Sequence, residues 1–293
     1  MISDEQFAEI TETRARRPEV LAELARGRKR REALDEGRGL FLISADDAAR
    51  GSLQIGANPV ALGNRRKLLN RLVAVLEHDA VDGIVATPDI VDDLLLLGAL
   101  HDVVVFGSMN RSGLAGSTWE VDDRFTAFDV PSVVDSGLDG GKITLRIDWA
   151  DPSTNNALSA TAEAITGLGR AGQVALVETL PGFRDGGRVR VANDPEALIR
   201  ALSVAGGLGA VSAYTWLKVP VVREMEQVLA ATTLPVLIAG GDPGEEREAV
   251  IGRWQRAMGS PQVRGFVGGR TVLFPADGDA IGAVSAVARA LGR

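Results

Sequence analysis

The chain has 293 residues, 45% of them hydrophobic, with 32 basic and 39 acidic side chains and a formal net charge of −7. That length fits either two ordinary domains or one α/β barrel of about 250 residues, and an acidic chain without a basic tail argues against a nucleic-acid partner. Cysteine is absent, which excludes disulfides and thiolate chemistry, and His78 and His101 are too few for the usual zinc ligand set, leaving carboxylate-held magnesium as the metal option.

The N-terminal stretch MISDEQFAEITETRARRPEV lacks the apolar centre of a signal peptide, and no run reaches the roughly 18 apolar residues of a membrane span. The expectation is a cytoplasmic protein without membrane contact. Residues 1–38 read as a helical extension, with Ser3 placed to cap a helix and the run Arg26 to Glu36 (RGRKRREALDE) as a solvated helical face. Closing a barrel bottom and contacting a second subunit are the other uses open to that segment, and the apolar outer helices are compatible with a homo-oligomer.

From Gly39 onward, short β-rich runs alternate with longer helical patterns, the signature of parallel β/α units. The strands expected are Leu40–Ser44, Gly83–Thr87, Val103–Phe106, Ile143–Ile147, Val174–Glu178, Ala210–Leu217, Pro235–Ala239 and Val263–Val267. Eight such runs predict a (β/α)8 TIM barrel over residues 39–293, following the helical extension. Leu68, Leu69, Leu72, Val75 and Leu76 form one helical stripe, and Leu158, Ala162, Ile165 and Leu168 another, both read as core. Residues 107–131, rich in Gly, Ser, Asn and Asp, make a loop long enough to be functional, placed where it could act as a lid.

In a barrel of this kind chemistry sits at the C-terminal ends of the strands. Those positions carry Asp46 and Asp47 after the first strand, Lys142 and Asp148 bracketing the fourth with Arg146 inside it, Glu178 closing the fifth and Lys218 closing the sixth. Glycine turns follow the seventh strand (Gly240-Gly241-Asp242) and the eighth (Gly268-Gly269-Arg270-Thr271). Loops at these two ends often present backbone N–H groups to a phosphate, and Arg270 adds a planar fork suited to phosphate oxygens. A lysine withdrawn from water at such an end is expected to have a lowered pKa. The alternative for Lys218 is an ammonium that reaches bulk solvent along its own stem.

The segments SADD (Ser44 to Asp47), GGKITLRIDW (Gly140 to Trp149), VALVET (Val174 to Thr179), TWLKVPV (Thr215 to Val221), LPVLIAGGD (Leu234 to Asp242) and GFVGGRTVLF (Gly265 to Phe274) resemble the strand-end motifs of class I, Schiff-base aldolases. The similarity is greatest to the group containing tagatose-bisphosphate aldolase and the archaeal-type fructose-bisphosphate aldolases, with deoxyribose-phosphate aldolase more distant. The resemblance implies that Lys218 forms the Schiff base, that Lys142, Glu178 and Asp46 orient hydroxyls and move protons, and that Gly240, Gly241, Gly269, Arg270, Arg146 and Asp47 face a phosphorylated sugar substrate. It implies no metal and no other cofactor. Departures from the family pattern fall at Asp47 to Arg50, at Arg146, and in the long loop carrying Asn110 and Arg111, all substrate-facing positions. Two other classes fit the same turns: a phosphate-binding barrel isomerase or flavin oxidoreductase, and a non-catalytic sugar-phosphate-binding barrel.

Overall fold

The computed structural model of the chain describes residues 1–32, 34, 37–240 and 247–293, the last range without the side chains of 247–250. Two helices lead, α1 (Asp4–Arg16) and α2 (Val20–Gly27), and Ser3 caps α1: its hydroxyl accepts from Gln6 N while the Gln6 side chain accepts from Ser3 N. The elements β1 (Leu40–Ser44), α3 (Arg65–Leu76), β2 (Gly83–Ala86), α4 (Pro88–Leu96), β3 (Val104–Ser108), α5 (Val130–Asp135), β4 (Gly140–Ile147), α6 (Ser153–Arg170) and β5 (Val174–Asp185) follow. After them come β6 (Arg188–Val191), α7 (Pro195–Gly206), β7 (Thr215–Pro220), α8 (Met225–Leu229), β8 (Val236–Ala239), α9 (Arg247–Met258), β9 (Val263–Gly268), α10 (Arg270–Leu273) and α11 (Ala280–Ala290).

Eight of the strands pair in parallel in the order β4-β3-β2-β1-β9-β8-β7-β5, and a β4–β5 pairing closes the ring. The fold is a (β/α)8 TIM barrel. Residues alternate across each strand, so Leu40 and Leu42 of β1 join Val85, Val104, Phe106, Leu176, Leu237 and Val267 in the barrel interior. Phe41 and Ile43 face the helices instead. Glycine makes two of the closest approaches possible: a Cβ at Gly265 (φ +143) would lie 2.0 Å from the Leu40 carbonyl oxygen, and one at Gly140 would meet the Phe106 ring at 2.7 Å. No helix among the described residues is long and apolar enough to cross a membrane.

Helix α3 buries the five residues read from its stripe. On α6 the inward face is rotated by about one residue, to Ala157, Thr161, Ala164, Ile165 and Leu168, leaving Leu158 and Ala162 at its margin. Small residues there let the helix lie close to β4, where Leu168 covers Gly141.

Three expectations need correction. The run after Gly27 is not a solvated helix: Arg28 is buried, donates to Val103 O (2.7 Å) and Gly137 O (2.6 Å), and pairs with Asp139. Arg31 and Arg38 reach Asp82, just before β2, and Leu34 packs against the barrel interior. Arg28, Arg31, Leu34 and Arg38 therefore lie across the N-terminal ends of the strands, the arginines meeting carbonyls, the buried Asp82 carboxylate and that of Asp139 there. Ala33, Asp35 and Glu36 of that run lie outside the described residues. The sixth barrel strand, β7, begins at Thr215 rather than Ala210 and continues through Pro220, so Lys218 lies within it. Finally, β5 runs beyond the barrel into an antiparallel hairpin with β6, turned by Gly186 and Gly187 at φ +56 and +81, the backbone signs that glycine supplies most readily in a two-residue hairpin.

Candidate active site

Register brings the chemistry together. Thr144, Glu178, Lys218 and Leu237 are successive partners across β4, β5, β7 and β8, and Ser108, Lys142, Leu176 and Trp216 form the row beneath. Because inward positions recur every second residue, Lys142 and Thr144 point into the same space as Glu178 and Lys218. Lys142 is thus an interior residue of β4, not a residue flanking it; the Gly140-Gly141 pair that reads as a turn in the sequence is the start of the strand.

At the centre, Glu178 bridges two ammonium groups, with Oε1 2.6 Å from Lys218 Nζ and Oε2 2.5 Å from Lys142 Nζ. Lys142 also donates to Thr144 Oγ1 at 2.7 Å and lies 3.2 Å from Asp46 Oδ2. Asp46 accepts from Ser44 Oγ (2.7 Å) and Ser108 Oγ (2.5 Å), and from Arg111 Nη2. Lys142 is 1% and Lys218 7% exposed, which rules out a Lys218 that trails into bulk water.

The protonation pattern differs from the sequence expectation. Burial by itself would lower the Lys218 pKa, but the Glu178 and Asp46 carboxylates outweigh it and the pKa is raised. The lowered amine is Lys142, through burial and then the Arg111 guanidinium, against the pull of Asp46 and Glu178. Both carboxylates stay ionised despite burial: Arg111 and Lys142 hold Asp46 well below the ordinary range, and Lys142 and Lys218 hold Glu178 far down. Asp47 is the opposite case, raised by burial and by Asp46 beside it.

These groups line a cavity of about 160 Å³ at the C-terminal mouth, with Asp47, Gly240, Gly269, Arg270 and Thr271 on its far wall. Arg270 Nε is 3.9 Å from Asp47 Oδ1. Gly241, also expected here, lies outside the described residues. Two larger hollows of about 620 Å³ lie outside this mouth, one bordered by α6 and one beside α8; neither is lined by a lysine.

Arg146, expected to face substrate, does not line this cavity. It is buried against Asp123 (Nη1 to Oδ2, 3.0 Å) and Glu120 O, with its pKa lowered to about 10 by burial and by Arg50, against Asp123 and Glu120. Arg50 holds the same loop through Gly113 O and the Glu120 carboxylate, and Asn110 bonds both ways with the Thr144 backbone. These contacts bolt the long loop over β4. Bolting it carries Arg111 into the site, a residue the sequence marked only as part of an unmatched loop. Ser44 and Ser108, at the ends of β1 and β3, and Thr144 inside β4 also belong to the cluster, and short hydroxyl residues gave no distinguishing signal. Asp148 serves a turn, accepting from Ala150 N.

The Cgl0159-like family model matches residues 38–288. The chain belongs to the Cgl0159-like family. The crystal structure of Cgl0159 from Corynebacterium glutamicum is 42% identical over 99% of this chain and 98% of that one, with a TM-score of 0.95. This Cgl0159-like chain shares its fold with an archaeal fructose 1,6-bisphosphate aldolase (17% identity, 93% of this chain and 100% of that one, TM-score 0.64). The same holds for a fructose-bisphosphate aldolase from Slackia heliotrinireducens (14% identity, 98% and 87%, TM-score 0.65). No curated protein matches the chain in sequence.

Proposed function

We propose that this Cgl0159-like protein is a class I aldolase, cleaving or forming a phosphorylated ketose or keto-sugar acid through a Schiff base on Lys218. The observation that carries this reading is the buried Lys218 ammonium, 2.6 Å from the Glu178 carboxylate and walled by a second lysine and Asp46. An amine must lose its proton before it attacks a carbonyl; Glu178 contacts that proton and, being held ionised, relays it rather than keeping it. The attack gives a carbinolamine; loss of its hydroxyl as water leaves a protonated imine. That cation draws electrons from the bond between the α and β carbons as a base removes the β-hydroxyl proton. An aldehyde departs, and the enamine that remains is protonated at carbon and hydrolysed to free Lys218. Lys142, whose pKa is lowered, and Glu178 are the groups placed to exchange these protons. Gly269 and Arg270 suit the substrate phosphate, and archaeal aldolases with the same barrel include one described with its catalytic lysine bound covalently to the carbinolamine intermediate.

Borohydride reduction in the presence of dihydroxyacetone phosphate tests the reading. A stable mass adduct on the peptide containing Lys218, absent from Lys218→Met, is expected. Sugar-phosphate binding with no adduct across a panel of carbonyl compounds would instead mark a non-catalytic binding barrel.

A further inference from the structure

The charges in the buried cluster do not balance. Arg111, Lys142 and Lys218 face Asp46 and Glu178, so three cations share two carboxylates. Among the neighbouring charges, Arg50 pairs with Glu120 at 2.9 Å and Arg270 lies 3.9 Å from Asp47. Arg111 itself is 7% exposed and lines the cavity, and it uses one nitrogen, Nη2, on Asp46, Ser108 and Thr144. Its Nε is buried without a hydrogen-bond partner among the described residues. A buried guanidinium with unused donors and surplus positive charge around it is costly unless an anion completes it, and a planar fork is the shape that takes two oxygens of a carboxylate or phosphate.

We propose that Arg111 is a substrate-binding, specificity-determining residue that receives an anionic oxygen pair of the substrate, at a position distinct from the phosphate position at Gly269 and Arg270. The inference rests on the aldolase reading for the identity of the cavity as a substrate site. It narrows the substrate to one carrying two anionic groups, either a second phosphate or a carboxylate, with the reacting carbonyl between the two positions. The direction of the Lys142 pKa agrees: burial and the Arg111 guanidinium push it down, as surplus positive charge does.

Titration calorimetry of the full chain with inorganic phosphate and with malonate tests the assignment, using wild type, Arg111→Met, Arg111→Lys and Arg270→Met. Arg111→Met is expected to weaken one of the two anions at least tenfold. Arg270→Met should weaken phosphate and spare malonate, with Arg111→Lys intermediate between wild type and Arg111→Met; if Arg111 takes a second phosphate, wild type binds two phosphates and each Met variant binds one. Loss of malonate assigns a carboxylate to Arg111 and loss of phosphate a second phosphoryl group. An unchanged Arg111→Met, a single phosphate bound by wild type and lost in both variants, or no anion binding by wild type overturns the proposal. Thermal melts followed by circular dichroism establish that the variants fold; if Arg111→Met does not, at least a threefold loss of one anion in Arg111→Lys decides the matter. The borohydride trap run alongside separates the two ideas, since anion binding without an adduct sinks the aldolase reading and leaves the Arg111 assignment standing.

Discussion

Arg146→Met is the sharpest probe of how the site is held together. The change keeps much of the side chain's length and removes one charge of a pair whose members are 3% and 1% exposed and 3.0 Å apart. Breaking a buried pair from one side costs about 3–5 kcal/mol, because the remaining charge is left without its counter-ion. Asp123 keeps one bond, accepting from Gly113 N at 3.0 Å, which places the expected loss near the lower end, about 3 kcal/mol. For a chain of this size each kcal/mol moves the midpoint by about 2–4 °C, so thermal unfolding should fall by roughly 6–12 °C. Urea unfolding gives the free energy directly, and amide exchange over residues 109–126 reports whether the loop is released. Asp123→Asn added to Arg146→Met removes the stranded charge and preserves a bond to Gly113 N, so the double variant should regain more than half of the loss. A single variant that loses less than about 1 kcal/mol, or a double variant as unstable as the sum of the two singles, would refute the account of the loop as an electrostatically bolted cover.

Two further outcomes follow from the charge cluster. Glu178→Gln removes the carboxylate that raises the Lys218 pKa, so the pH profile for modification of Lys218 by an amine-directed reagent should move to lower pH; an unchanged or upward-shifted profile would count against the pairing. Asp46 and Glu178 have folded-state pKa values below their unfolded ones, so each contributes stability that is present above about pH 4 and is lost as pH falls toward the folded value. Stability measured by urea unfolding should therefore decline from about pH 5 downward, and the decline should be shallower in Asp46→Asn; an equally steep decline in the variant would contradict it.

Sequence alone determined the architecture of this protein. Eight apolar runs spaced by helical stripes, at a length that one barrel fills, left a closed parallel ring as the economical arrangement, and reading its strand ends located Asp46, Glu178, Lys218, Gly269 and Arg270 on one mouth. These properties are local: a period of two or of 3.6, and a charge where an apolar run stops. What tertiary structure decided is which charges meet. Lys142 and Asp46 are 96 positions apart in the chain and Lys218 and Glu178 are 40 apart, and their separations are set by strand register and barrel closure, neither of which is written in any one segment. The same distances settle the roles: Arg146 and Arg111 are both arginines in or near the third and fourth units, yet one is spent on Asp123 and the other lines the cavity. They also reverse the expectation for Lys218, because burial, visible in an apolar pattern, lowers an amine's pKa, whereas a carboxylate 2.6 Å away raises it, and that distance exists only in the folded ring.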